Sequence, residues 1–270
     1  MIIAQISDTH IALDTPDAER RISDFERTVA DINTLDPAPD VIVHTGDIVH
    51  NGRPEEYAKA AAILAQARRP VYVLAGNKDD RANLCAAFAA RGYLDPHSAF
   101  IDYAIESHPI RLIAVDTLNT HSNKGDFCAE RAKRLIAMID ADATRPIAIF
   151  AHHPPFEVMV GPDRINFETV EMMQRLRQAV QHSGRVAAVI SGHVHRGTSG
   201  FVESIPVTVM PSVATTLRKG EYPASMQTCP VYHIHRFDPA GGFTVEARMV
   251  GPDRPAAAPA SAPAAARRAG

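Results

Sequence analysis

Five short apolar runs, spread over most of this chain, each break off at residues of the kind that ligate metal ions. Ile2–Ile6 leads into Asp8-Thr9-His10, Val41–His44 into Gly46-Asp47, and residues 71–74 into Gly76-Asn77-Lys78-Asp79-Asp80. Ile147–Ala151 ends in His152-His153-Pro154-Pro155, and residues 186–190 end in Ser191-Gly192-His193-Val194-His195. The runs are short and rich in β-branched residues, so they read as buried strands, as does Arg111–Val115. Amphipathic stretches separate them. Residues 21–35 place Ile22, Phe25, Val29, Ile32 and Leu35 on one helical face. A second helix starts at Pro54, where proline suits a first helical position, and carries Tyr57, Ala61 and Leu64 inward. Residues 79–90, 129–139 and 167–181 complete the helical set. This alternation predicts an α/β fold with sheet covered by helices.

The pattern changes after Thr198. Residues 201–203, 206–210, 231–237 and 243–250 read as strands with no helices between them, which predicts antiparallel pairing. Their edges offer pairing to a second copy of the chain, so a homo-oligomer joined through residues 198–250 is the expected assembly. Residues 251–270 hold nine alanines and four prolines without apolar periodicity and read as a flexible tail. The domain is therefore expected over residues 1–250.

In an α/β fold, residues just past the carboxyl ends of parallel strands converge on one crevice. Two aspartates, one asparagine and four histidines would meet there: Asp8, His10, Asp47, Asn77, His152, His193 and His195. Seven oxygen and nitrogen donors without a thiolate are too many for one tetrahedral zinc and suit two borderline divalent ions, such as Fe, Mn, Zn or Co. A carboxylate must be shared to hold two cations roughly 3.5–4 Å apart, and the second strand offers Asp47 alone. Glycines at 46, 76 and 192 let the backbone turn so that the next side chain points at the metals. Such a pair lowers the pKa of a bridging water and clamps an in-line displacement, which makes a phosphate ester the natural substrate.

Each element also has a bland reading. Asp8-x-His10 and Gly46-Asp47 occur in ordinary turns, and Asp79 or Asp80 could simply cap a helix. His233-x-His235 has metal-like spacing too, but it lies inside an alternating strand with no glycine before it, so it reads as structural. His44 falls on the second strand, His182 near a helix end, and His97 and His108 in loops. His50 and His121 read as surface residues, and Met172-Met173 as core.

Composition narrows the class. With 28 Lys+Arg against 31 Asp+Glu the net charge is −3, which argues against a partner held by a basic field, nucleic acid above all. At 46% hydrophobic and 22% charged residues, general disorder is excluded. No apolar run approaches the roughly 20 residues that cross a bilayer. Met1–Ile6 lacks the basic head of a secretory signal, and Cys85, Cys128 and Cys229 are too few and too scattered for a disulfide framework. A reduced, cytoplasmic protein without membrane partners is expected.

Together these segments resemble the calcineurin-like metallophosphoesterases, the family that includes the purple acid phosphatases. The family pattern D-x-H, G-D, G-N-H-[DE], H, G-H-x-H is met by Asp8/His10, Gly46-Asp47, Gly76-Asn77, His152 and Gly192-His193-Val194-His195. Within it, Asn51-Gly52-Arg53-Pro54-Glu55-Glu56-Tyr57 and His152-His153-Pro154-Pro155 resemble bacterial class III cyclic-nucleotide and glycerophosphodiester phosphodiesterases. The resemblance implies a four-layer αββα sandwich with two central mixed sheets flanked by helices. It implies Asp8, His10, Asp47 and His195 on one ion, and Asp47, Asn77, His152 and His193 on the other, with His153 only the neighbour of a ligand. The implied activity is hydrolysis of a small soluble phosphodiester by a metal-bridging hydroxide, with Asn77 and Lys78 near the phosphate. A phosphomonoesterase, a broad phosphoesterase, or a metal-bound scaffold with vestigial hydrolysis are the alternatives. The chain departs from the pattern at Lys78, where the family has histidine. A lysine supplies charge there but, with a reference pKa of about 10.4, is a poor proton donor at neutral pH.

Overall fold

The structure, a computed structural model, describes residues 1–159 and 164–251, so the tail expected at 251–270 lies outside the described residues beyond Gly251. In chain order the first half gives β1 (Ile2–Ile6), α1 (Ala18–Ile32), β2 (Val41–His44), α2 (Pro54–Leu64), β3 (Val71–Val73), α3 (Arg81–Phe88), β4 (Tyr103–Ile105) and β5 (Arg111–Val115). The second half gives α4 (Ala129–Asp140), β6 (Ile147–Ala151), α5 (Val170–Gln181), β7 (Val186–Ser191), β8 (Thr198–Val202), β9 (Ile205–Val209), β10 (Val231–Asp238) and β11 (Gly242–Met249). They form a five-stranded sheet in the order β11-β10-β1-β2-β3 and a six-stranded sheet in the order β4-β5-β6-β7-β9-β8.

Strand alternation builds the layers. Ile3, Val41, Val43, Leu112, Ala114, Ala148 and Phe150 meet in a core between the two sheets. Their neighbours turn outward: Ala4, Ile6 and Ile42 pack with Phe25 and Val29 of α1, Tyr57 and Ile63 of α2, and Leu84 and Phe88 of α3. On the far side, Ile113, Ile147 and Ile149 pack with Leu135 and Ile139 of α4 and Leu176 and Val180 of α5. The order is helices, sheet, sheet, helices, the expected four-layer α/β sandwich. Met173 joins that last core.

The carboxyl-terminal strands pair antiparallel within their hairpins, as expected, but join the two sheets in different ways. β8 and β9 form a hairpin, but β9 lies parallel to β7, with Val207 opposite Val189. β10 and β11 form another hairpin and cross to the first sheet, where β10 runs antiparallel to β1 and His235 sits opposite Ile3. Periodicity reveals a strand and a hairpin, not which sheet the hairpin joins. β4 is not among the strands expected from the sequence; it pairs antiparallel with β5 at the edge of the second sheet. Cys85, Cys128 and Cys229 are free thiols. Among the described residues, no helix is long and apolar enough to cross a membrane.

Candidate metal centre

The ends of β1, β2, β3, β6 and β7 deliver all seven expected donors to one place. Asp8, His10, Asp47 and His195 form a group whose donor atoms all lie within 4.8 Å of one another. His10 Nε2 is 3.0 Å from His195 Nε2 and 3.3 Å from Asp47 Oδ2, and His195 Nε2 is 3.3 Å from Asp8 Oδ1. Beside it, Asn77 Oδ1 lies 2.9 Å from His193 Nδ1 and 3.2 Å from His152 Nε2. Asp47 stands between the two groups: its Oδ2 faces His10, while its Oδ1 is 3.5 Å from His152 Nε2. His153 also falls within reach of His152 and His193. Both of its ring nitrogens, however, have protein partners, Thr117 Oγ1 at 2.8 Å and the Asn123 carbonyl at 3.2 Å.

Local backbone geometry explains how strand ends become a cluster. Asp8, His10, Asp47, His193 and His195 all have positive φ, between 43° and 72°. Left-handed backbone costs a residue with a Cβ about 1–3 kcal/mol and gathers at functional sites, where the surroundings enforce it. Here the enforcement is visible. Asp8 N and His10 N donate to the carbonyls of Gly46 and Asp47 at 3.0 Å, and Gly192 N donates to the His152 carbonyl at 3.1 Å. Gly46, at φ 96°, needs glycine for its turn. Gly192 needs it for space: a Cβ there would lie 2.0 Å from Ser7 Oγ and 2.6 Å from Asp8 Oδ2. At Gly76, too, the demand is close approach and not a left-handed turn, because a Cβ would meet Asp47 at 2.3 Å.

Protonation follows from burial and partners. A carbonyl can only accept, so His152 Nδ1 donates to the Thr45 carbonyl at 2.7 Å and His195 Nδ1 to the Leu217 carbonyl at 3.1 Å. In the neutral ring, each Nε2 therefore turns its lone pair toward the centre. Burial pushes the His10 pKa down to about 3 and holds His193 well below its ordinary value. Burial alone would raise both carboxyls, yet His195 beside Asp8 and His152 beside Asp47 keep them low and ionised. Neutral imidazoles and charged carboxylates are the forms that bind metal. His152 is the telling exception. Burial resists its protonation, but Asp47 raises it to about 9, so the centre draws a positive charge to the place where two carboxylates converge. With His10 Nε2 3.0 Å from His195 Nε2 and 3.3 Å from Asp47 Oδ2, nitrogen and carboxylate oxygen donors converge in a set that fits borderline divalent cations.

Comparison with known proteins agrees with this geometry. The family model of calcineurin-like phosphoesterases matches residues 1–197. The chain belongs to that family. It is 28% identical over 259 residues, 93% of its own length and 94% of the relative's, to a probable glycerophosphodiester phosphodiesterase of Arcobacter nitrofigilis. It is 27% identical over 215 residues, 76% of its length and 77% of the relative's, to a probable cyclic nucleotide phosphodiesterase of Rhodopseudomonas palustris. In fold it is similar to the purple acid phosphatase of yellow lupin, with a TM-score of 0.64 at 12% identity; the match covers 93% of this chain and 51% of the lupin one. The calcineurin-like phosphoesterase fold thus spans the described sheets, and the expectation of a metal-dependent hydrolase stands.

Beyond the donors, this phosphoesterase has a cleft of about 470 Å³. Asn51, Lys78, Asn119, His121, Ser122 and Asn123 are among its lining residues. Lys78 Nζ donates to Asn123 Oδ1 at 3.0 Å, and Lys78 N donates to Asp47 Oδ1 at 2.7 Å. Several residues that shape the centre were not apparent from motifs. Asp79, one of two candidate helix caps, instead accepts from Gly76 N at 2.8 Å, Ile48 N at 3.2 Å and Tyr57 Oη at 2.9 Å, tying the loop after β3 to the loop after β2 and to α2; Asp80 is the cap of α3. Buried Glu56 accepts from the backbone N–H of Asn51 at 3.0 Å, which gives the Asn51–Tyr57 motif a bracing role. Two histidines depart from the surface reading. His50 is half-buried with its ring centroid 5.7 Å from that of His10, and His121, though exposed, lines the cleft.

Proposed function

We propose that this phosphoesterase is a dinuclear-metal phosphodiesterase acting on small soluble diesters with a polyol leaving group, such as glycerophosphodiesters. Asp8, His10, Asp47 and His195 would hold one ion, and Asp47, Asn77, His152 and His193 the other. The observation that carries this reading is the division of Asp47, whose two oxygens face different donor groups. Bound there, a pair of divalent ions supplies Lewis acidity to phosphoryl oxygens and makes a water nucleophilic at neutral pH. The chain does the rest. Hydrogen bonds from His152 and His195 to the Thr45 and Leu217 carbonyls hold both rings in place, so little reorganisation is needed when charge develops. Lys78 supplies a fixed positive charge at the cleft for the equatorial oxygens of the phosphoryl group.

The cleft favours the leaving group. Amides of Asn51, Asn119 and Asn123 and the hydroxyls of Thr120 and Ser122 can match an alcohol bearing further hydroxyls. A nucleobase wants a flat apolar or aromatic face, and His121 is the cleft's single ring among the described residues. Cyclic nucleotides are the second reading, supported by the relative of that name in Rhodopseudomonas palustris.

The deciding experiment pairs a chromogenic diester with its matching monoester and measures metal content on the same sample. Two ions per chain and preference for the diester are expected, and Asp47→Ala should lose both ions and all turnover. One tightly held ion, unchanged by excess metal, would overturn the dinuclear reading. Faster cleavage of the monoester would make the chain a phosphomonoesterase.

A further inference from the structure

We infer that Asn123 is a positioning residue that aims both Asn77 and Lys78, and that His153 anchors the loop carrying it. The inference rests on the roles proposed above for Asn77 and Lys78. The Asn123 side-chain oxygen accepts twice, from Lys78 Nζ at 3.0 Å and from Asn77 Nδ2 at 3.3 Å. The second bond settles which end of the Asn77 amide faces the histidines. With its NH₂ directed at Asn123, Asn77 turns Oδ1 toward His193 and His152, at 2.9 and 3.2 Å. A half-turn of that amide would present N–H donors, which cannot ligate a cation. The first bond restrains a flexible side chain. Lysine has wide rotamer freedom, and an acceptor at the cleft wall limits where its ammonium goes.

Asn123 is exposed and would be a poor guide unless its own loop were fixed. His153 fixes it. This ring is fully buried, donates from Nε2 to the Asn123 carbonyl at 3.2 Å, and accepts at Nδ1 from Thr117 Oγ1 at 2.8 Å. Its centroid lies 4.3 Å from that of His193. The loop closes tightly on it: a Cβ at Gly125 would lie 2.9 Å from His153 Cγ. The doubled histidine at the end of β6 thus divides its work. His152 faces Asp47 and Asn77, while His153 holds the cleft loop that orients them.

The test uses the full chain loaded with Mn²⁺, with ion binding followed by equilibrium dialysis and turnover by bis(4-nitrophenyl) phosphate. Asn123→Ala should weaken binding of one ion of the two about tenfold and lower kcat about tenfold, the scale on which groups orienting ligands act. Asn123→Asp keeps an acceptor oxygen and should restore ion binding to within about threefold. With Lys78 already replaced by alanine, and at saturating metal, Asn123→Ala should cost less than about twofold further, because its route to the phosphate is gone. Wild-type ion binding in Asn123→Ala would overturn the inference. So would an equal loss of kcat with and without Lys78, or failure of the aspartate to rescue. If Lys78→Ala alone leaves kcat unchanged, the proposed phosphate contact fails, while dialysis still decides whether Asn123 orients Asn77.

Discussion

Two His-x-His pairs in this molecule have the same spacing and opposite surroundings. His193 and His195 follow the end of β7 on left-handed backbone, φ 72° and 58°, and their rings join different donor groups. His195 Nε2 lies 3.3 Å from Asp8, and His193 Nδ1 lies 2.9 Å from Asn77. His233 and His235 lie inside β10, where residues two apart project to the same face. That face is buried. His235 Nε2 meets Gln5 Oε1 at 2.9 Å, and burial lowers the two pKa values to about 4 and 3. No carboxylate joins this pair among the described residues in any candidate metal group. Spacing alone therefore does not make a ligand pair. At a strand end the chain is free to leave extended geometry and send successive rings to two donor groups.

Truncating each pair in turn should give the largest difference between them. His193→Ala and His195→Ala should each abolish turnover of a chromogenic diester and each lose chiefly one ion by elemental analysis. His233→Leu and His235→Leu should retain kcat within about twofold, since neither ring joins a candidate donor group. Equal loss of activity in both sets, with folding intact by circular dichroism, would mean that β10 is part of the reacting centre.

A smaller effect separates residues that hold metal from those that touch the phosphate. Lys78→Ala should lower kcat by about 10²–10³, the range for removing one oxyanion-type donor, while metal content stays at the wild-type level. Lys78→His should recover activity and add a pH dependence near neutrality, with poor leaving groups gaining most. Lost metal in Lys78→Ala would place this side chain with the ligands instead.

The strand ends were legible because parallel strands terminate together. Once Ile2–Ile6, Val41–His44 and Ile147–Ala151 are strands, Asp8, Asp47 and His152 have one place to meet. What the chain hides is where its loops return. Asp79 binds backbone N–H groups of Ile48 and Val49, some thirty residues earlier, and no local pattern announces that. His50 looked peripheral because its loop follows a strand. In space, that loop pairs Val49 with Ile11, and His50 N donates to the Ile11 carbonyl, bringing the ring beside His10. Asn123 is likewise one polar residue in a polar loop until Lys78 is seen against it. Local periodicity reports burial, whereas these roles depend on contacts between segments far apart in the chain.

The smallest effects belong to the structural pair, and pH distinguishes its members from metal ligands. His235→Leu leaves Gln5 Oε1 without its partner and should cost about 1–3 kcal/mol of stability. His233 differs, because its Nδ1 is buried with no partner, so His233→Leu should be near neutral at pH 7. Acid changes that balance. The His233 pKa falls from an ordinary 6.5 to about 4 on burial. Above pH 6.5 neither the folded nor the unfolded chain carries its proton, so it has no effect. As pH falls below 6.5 the unfolded chain gains a proton that the folded one refuses, and stability is lost progressively until about pH 4, where the folded form titrates as well. By pH 5 the loss from this one ring is about 2 kcal/mol. His233→Leu removes it. Thermal melts of wild type and variant should therefore lie close together at pH 7 and separate at pH 5, with the variant the more stable. The same difference at both pH values would show that His233 is not held neutral by burial, and would remove the electrostatic half of the contrast with His193 and His195.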